Sequence, residues 1–220
     1  MVDGCKKSMT SAGGRPCVVV DLDGTLLNGN SLHELIKFTL AGKVRNVGLK
    51  QRFAIGVRLV MRRLKLIHHV DMKYPFHREV EKAIGCEEMA IFVRHIAGMI
   101  HPSVLQQVRN LQHEGYMCVL ATAAPAFYAS ELGKRFGFDM CVATGLSTEA
   151  GGYVEARGEE KKLRVCNAVS EAGGKIEVVM TDHEDDLPLL RIPDVKRWLV
   201  SPTDALCNAL KRDGLDFEII

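Results

Sequence analysis

The sequence predicts an α/β protein, a doubly wound parallel sheet with helices on both faces and a helical segment inserted after the first strand. Three observations predict it. After residue 101, short β-branched apolar runs alternate with helix-length amphipathic segments, the pattern of a parallel sheet. Three of the apolar runs end in polar clusters, and ligands of such sheets bind beyond the carboxyl ends of the strands. Between the first run and the second lies a long stretch with no strand pattern and a different charge.

Taken in order, the first fifteen residues lack an apolar core and read as a loose tail without a secretory signal. Cys17 to Val20 is a buried strand ending in acid and glycine. Ser31 with Glu34 suggests a capping box that opens a helix through Leu35, Ile36 and Leu40. From Lys37 to Lys82 twelve lysines and arginines face three acids, so this stretch carries +9 while the rest of the chain sums to −7. Within it, residues 53 to 70 fit one amphipathic helix with Arg58, Arg62, Arg63 and Lys65 on it. Ser103 to Glu114 is helical with Gly115 as its stop, Met117 to Ala121 a strand, and Phe127 to Phe136 a helix. Met140 to Ala143 is a strand, followed by a hairpin around Gly151 and Gly152. Glu159 to Ala172 is a helix, Ile176 to Met180 a strand, Leu187 to Leu190 a short helix, and Trp198 to Val200 a last strand.

Composition excludes several classes. With 47% hydrophobic and 25% charged residues the chain is neither disordered nor fibrous. A net charge of +2 gives no global pull towards nucleic acid. The longest stretch free of Asp, Glu, Lys and Arg, Tyr116 to Ser130, is too short and too broken by Pro125 to span a bilayer. Seven scattered cysteines with no C-x-x-C spacing argue for reduced thiols and a cytoplasmic protein. No H-x-x-x-H pattern occurs among the eight histidines, and His183 is expected to lie over the polar loop rather than to bind a metal.

The chemistry sits at the strand ends. Asp21 and Asp23, one residue apart at an extended end, can turn both carboxylates to one site, and Gly24 lets the chain turn away. Thr122 ends a second strand, and Asp182, Asp185 and Asp186 follow a third. Carboxylates converging in one pocket repel and take up protons unless a cation shares them. Oxygen ligands in small number suit Mg²⁺, whose usual further partner is a phosphate oxygen.

These residues carry a resemblance to the haloacid dehalogenase-like phosphohydrolases, in the branch that includes phosphoserine phosphatase. D-L-D-G-T-L at Asp21 looks like the family's first motif, Thr122 its second, the lysine of G-E-E-K-K-L-R-V its third and T-D-H-E-D-D-L-P-L-L its fourth. The resemblance implies a Rossmann-like core over residues 1–29 and 99–220, with an α-helical cap over 30–98 that sets substrate choice. It implies that Asp21 is a nucleophile forming an aspartyl-phosphate, that Asp23 is the general acid and base, and that Thr122 binds the phosphoryl group. Lys161 fits the third-motif spacing better than Lys162 and would offset charge between Asp21 and phosphate. Backbone N–H groups around Gly24 and Ala123 would bind the phosphoryl oxygens. Mg²⁺ would be held by the Asp21 carboxylate, the Asp23 carbonyl and Asp182, with Asp186 orienting a bound water. Asp23 favours phosphoryl chemistry over dehalogenation. Asp185 reads as a solvated or capping acid.

Phosphoserine phosphatases carry a glutamate that binds the substrate's ammonium where this chain has Asn30, so phosphoserine is disfavoured. The expected reaction is Mg²⁺-dependent hydrolysis of a small phosphorylated metabolite. Two alternatives use the same intermediate: a phosphatidylglycerophosphate-type lipid phosphatase at a membrane surface, and a phosphotransferase. The basic insert suits peripheral contact with an anionic membrane, and equally suits a plain solvated face. Oligomeric state is left open.

Overall fold

The computed structural model describes residues 14–146 and 153–220. The hairpin expected around Gly151 and Gly152 lies outside the described residues. Six parallel strands form one sheet: β1 (Arg15–Val20), β2 (Met117–Pro125), β3 (Met140–Thr144), β4 (Gly174–Thr181), β5 (Lys196–Leu199) and β6 (Glu218–Ile219), in the order β3-β2-β1-β4-β5-β6. The register sets Val18 against Cys118 on one side and against Val178 on the other. β1 is thus where the strand order reverses, and the carboxyl ends of β1, β2 and β4 lie side by side. That is where such sheets bind ligands.

The central strands β1, β2 and β4 are buried on both faces, so they read as apolar runs rather than alternating ones. Val18, Val20, Cys118, Leu120 and Met180 pack to one face, beneath α5 (Pro102–His113) and α6 (Ala126–Arg135). Cys17, Val19, Val119, Val179 and Leu199 pack to the other. That face is covered by α7 (Gly158–Glu171), the one-turn α8 (Leu187–Leu190) and α9 (Asp204–Arg212). Burial pushes the Cys17 and Cys118 thiols up to about 12, which keeps them protonated and unreactive at neutral pH.

The inserted segment is all helical: α1 (Ser31–Leu40), α2 (Leu49–Arg63), α3 (His69–Ala83) and α4 (Cys86–Ala97). Leu35, Phe38, Phe76 and Phe92 join the same core cluster as β1 and β2, so the cap shares its apolar contacts with the sheet. Two local readings are corrected. The cap of α1 is Asn30 rather than Ser31, because the Asn30 side-chain oxygen accepts from the His33 N–H at 2.9 Å. Ser31 instead is buried inside the first turn with its hydroxyl 2.9 Å from that of Tyr128. The single amphipathic helix expected over 53–70 is two helices. α2 stops at Arg63, where Lys65 takes φ 58° and the Leu66 N–H turns back to the Met61 carbonyl at 2.9 Å. Among the described residues, no helix is long and apolar enough to cross a membrane.

Candidate active site

The loop after β1 is built to hold its carboxylates still. The Asp21 N–H continues the ladder to the Met180 carbonyl at 2.9 Å, which fixes Asp21 at the sheet edge. The chain then reverses at Gly24, which has φ 86°. A Cβ there would stand 2.1 Å from Asp182 Oδ2, so only glycine admits the fourth-motif carboxylate beside the turn. Thr25 Oγ1 donates to Asp182 Oδ1 at 3.0 Å and joins the β1 loop to the β4 loop.

A cavity of about 290 Å³ opens over these strand ends. Asp21, Asp23, Asn30, Thr122, Ala123, Lys161 and Asp186 all line it, so seven of the nine residues singled out in the sequence meet in one place. Gly24 and Asp182 lie just beneath, against each other. Of the two adjacent lysines, Lys161 is the one that enters the site: it is 3% exposed and its Nζ is 2.8 Å from Asp21 Oδ1 and 2.7 Å from Asp186 Oδ1. Lys162 points elsewhere, 3.8 Å from Glu159. Asp186 is held at its other oxygen by Thr181 Oγ1 at 2.7 Å, so both of its oxygens face protein donors and its visible work is to position Lys161.

Asp23 sits at the N-terminus of α1, where Oδ1 accepts the Ser31 N–H at 2.7 Å. Burial raises its pKa, with the Ser31 hydrogen bond opposing. Burial also raises Asp21; Lys161 works against that, and Asp186 and Asp182 add to it. Asp182 is raised by burial too, with the Thr25 hydrogen bond opposing. At 2.8 Å from an ammonium, the Asp21 carboxylate is the charged partner of an ion pair, and burial measures what that charge costs. Thr122 is buried, and its Oγ1 accepts from the Ala124 N–H at 3.0 Å, which shapes the turn after β2.

The donor set fits a hard divalent cation. Two buried carboxylates, Asp21 and Asp186, share one buried ammonium, and Asp182 adds its charge beside Asp21, so the pocket is short of positive charge. Among the described residues no group of three or more His, Cys, Asp or Glu side chains forms a metal cluster. A cation here would therefore depend on two carboxylates with a main-chain carbonyl, water and substrate oxygens, the sparse protein ligation that Mg²⁺ accepts.

Sequence reasoning missed four polar lining residues. Lys73 reaches from α3 and is 4% exposed; its Nζ donates to the Ala123 carbonyl at 2.9 Å and lies 3.2 Å from Glu155 Oε1. Burial lowers its pKa against the pull of Glu155. Arg157 grips Asp185 with two bonds, at 2.6 and 2.7 Å, so Asp185 is neither solvated nor a cap but one half of a rim ion pair. His33 and Glu155 complete the wall. The apolar positions Met72, Phe76 and Val80, four apart and buried, were the signal that put Lys73 at the inner edge of its helix. His183 lines the cavity and its Nδ1 accepts from the Asp185 N–H at 3.2 Å, so it braces this loop.

Carboxylates at the carboxyl ends of parallel strands, a buried lysine from α7 beside them and an inserted helical cap make up the layout of a capped, Rossmann-like hydrolase. The chain matches the haloacid dehalogenase-like hydrolases over residues 18–191 and belongs to that family. Among solved structures, a protein of unknown function from Bordetella pertussis Tohama I aligns with a TM-score of 0.74 at 19% identity, over 93% of this chain and 98% of its own. A family hydrolase from Salmonella enterica subsp. enterica serovar Typhi aligns at 0.63 and 11% identity, over 94% of this chain and 68% of its own. A substrate-bound phosphoserine phosphatase aligns at 0.58 and 13% identity, over 96% and 94%. At such identities the likeness is one of fold. No curated protein sequence matches.

Proposed function

We propose that the protein hydrolyses phosphomonoesters through an aspartyl-phosphate on Asp21, with Mg²⁺ as cofactor. The observation that carries the reading is the buried Lys161 Nζ, 2.8 Å from Asp21 Oδ1, in a cavity that Asp23 and Thr122 also line. With Oδ1 held by the lysine, Oδ2 attacks phosphorus as the bond to the leaving oxygen breaks. Asp23, whose raised pKa suits it to carry a proton, gives that proton to the leaving oxygen. It then takes a proton from water, which attacks phosphorus and releases the Asp21 carboxylate. Lys161 balances the charge that builds on the phosphoryl oxygens, Thr122 and the N–H groups near Gly24 and Ala123 bind them, and Asp186 keeps the lysine in place. Asp21, Asp182 and the Asp23 carbonyl would hold Mg²⁺, which when bound neutralises phosphoryl charge.

Lys73 and Arg157 on the walls are each paired with an acid of the same wall, Glu155 and Asp185, so they bring polarity rather than free positive charge, and Asn30 does not favour an ammonium. The Asn30 oxygen is already committed to capping α1. A small soluble phosphate ester suits the 290 Å³ cavity. A second reading, a phosphorylated amphiphile, is favoured by an apolar groove of about 610 Å³ that shares Leu32 and His33 with the cavity.

The deciding experiment is Mg²⁺-dependent phosphate release over sugar phosphates, amino-acid phosphates, nucleotides and lipid phosphomonoesters. Asp21→Asn is expected to lose at least about 10³-fold in kcat while keeping its fold. Retained turnover in that variant, or a full rate in excess chelator, overturns the mechanism. Phosphorylated product in the presence of added alcohols would assign the same intermediate to transfer rather than hydrolysis.

A further inference from the structure

Among the fifteen residues of α2, Ile55 alone is buried. Leu49, Phe53, Val57, Val60 and Leu64 are exposed at 81, 75, 40, 57 and 63%. Their spacing of three and four residues places them on one stripe about 80° wide at 100° per residue. Leu66 and Val70, beyond the end of the helix, are exposed too. A surface helix of a globular protein turns such a stripe to the core; here it faces out. Scattered apolar side chains on a surface need no explanation, but a continuous stripe marks a docking face.

Cations rim this stripe. Lys50, Arg63 and Lys65 are exposed. Among the described residues none of these three pairs with an acid, whereas Arg58 and Arg62, four apart, lie on the opposite side of the helix, where Arg58 pairs with Glu79 at 3.4 Å. The surrounding segment from Lys37 to Lys82 carries +9. We propose that α2 docks the protein on an anionic lipid bilayer, with Phe53, Val60 and Leu64 buried at the level of the headgroups and Lys50, Arg63 and Lys65 among the lipid phosphates.

Charge decides the occupant. A second copy of the chain bound through this face would set one basic rim against another, and a symmetric contact repeats that repulsion. A bilayer with anionic headgroups supplies both an apolar interior for the stripe and diffuse negative charge for the rim. The placement also suits access to the site. The groove that reaches the catalytic cavity at Leu32 and His33 is lined at its far end by Val60, Arg63 and Lys65, so docking would open it towards the lipid surface. The surface itself does not depend on the proposed hydrolysis.

The test is sedimentation of the full chain with vesicles of phosphatidylcholine alone and of phosphatidylcholine mixed with phosphatidylglycerol. Binding to the mixed vesicles, weak binding to the neutral ones and release by high salt are expected. The triple variant Phe53→Ser, Val60→Ser, Leu64→Ser and the charge variant Arg63→Glu, Lys65→Glu are each expected to weaken binding by about tenfold or more. Their thermal unfolding should match the parent, because these side chains bury nothing. Asp21→Asn should bind vesicles like the parent, which separates this inference from the reaction. Absence of binding to anionic vesicles, or equal binding by the parent and both variants, overturns it. So does a dimer in sedimentation velocity that the serine variant dissolves while vesicles bind nothing; α2 would then be a self-association face.

Discussion

At the residue scale, the site is a charge arrangement around Lys161. One buried ammonium stands 2.8 and 2.7 Å from two carboxylates. Lys161→Met should end turnover and cost about 3–5 kcal/mol, since it leaves Asp21 and Asp186 facing each other without a cation. Urea unfolding measures this, and adding Asp186→Leu to the same protein should restore much of the stability but none of the activity. An unchanged midpoint in the single variant would mean the carboxylates are neutral without the lysine. Gly24 is the second such residue. Gly24→Ala meets both a φ of 86° and an Asp182 oxygen 2.1 Å away. It should cost about 1–3 kcal/mol and weaken Mg²⁺ binding, read by calorimetric titration with the metal. The acids and Thr122 were legible in the sequence because strand ends are legible and chemistry gathers there. Lys73 was harder: in a run of twelve cations only its place beside the apolar positions Met72, Phe76 and Val80 marks it.

At the element scale, α1 ties cap to catalysis. Its first turn carries both the Asn30 cap at 2.9 Å and the Ser31 N–H that holds Asp23 at 2.7 Å. Asn30→Ala should therefore cost about 1 kcal/mol by thermal unfolding. It should also shift the pH profile of kcat, because Asp23 loses its fixed donor; a stability loss with an unchanged profile would separate the helix from the acid. The core helices other than α9 and all strands but β6 could be read from period and punctuation. The break after Arg63 could not, since it depends on Lys65 adopting a left-handed conformation that its side chain does not favour. Pro75, which would ordinarily mark a boundary, lies inside α3. β6, Glu218–Ile219, was missed because it is only two residues long, whereas α9 was missed although Thr203 caps it and its nine residues carry buried Leu206 and Leu210.

At the scale of the whole molecule, cap and core are held by buried polar contacts whose protonation matters. His77 of α3 is fully buried against Phe127 of α6 and 3.4 Å from the Tyr153 hydroxyl. Burial, aided by Lys73, pushes its pKa down to about 4, so its approach to Glu81 at 3.4 Å is not an ion pair at neutral pH. The unfolded chain takes up the proton first, near the ordinary histidine value. Stability is therefore full above about pH 6.5 and falls as the pH drops towards 4, by about 3 kcal/mol in all from this one group. The unfolding midpoint measured between pH 7 and 4.5 should fall more steeply for the parent than for His77→Gln; parallel slopes would remove His77 from the account. The topology has a consequence for how the chain comes together in time. β1 pairs with β4, and the Thr25–Asp182 hydrogen bond joins residues 157 apart. Pairings so distant in sequence make folding slow. On a ribosome, β1 and the helices after it emerge early, but the Asp21 carboxylate stays at the bare edge of an unfinished sheet until β4 has been made. Over that interval the exposed strand edge is the part of the nascent chain that a chaperone would most usefully cover.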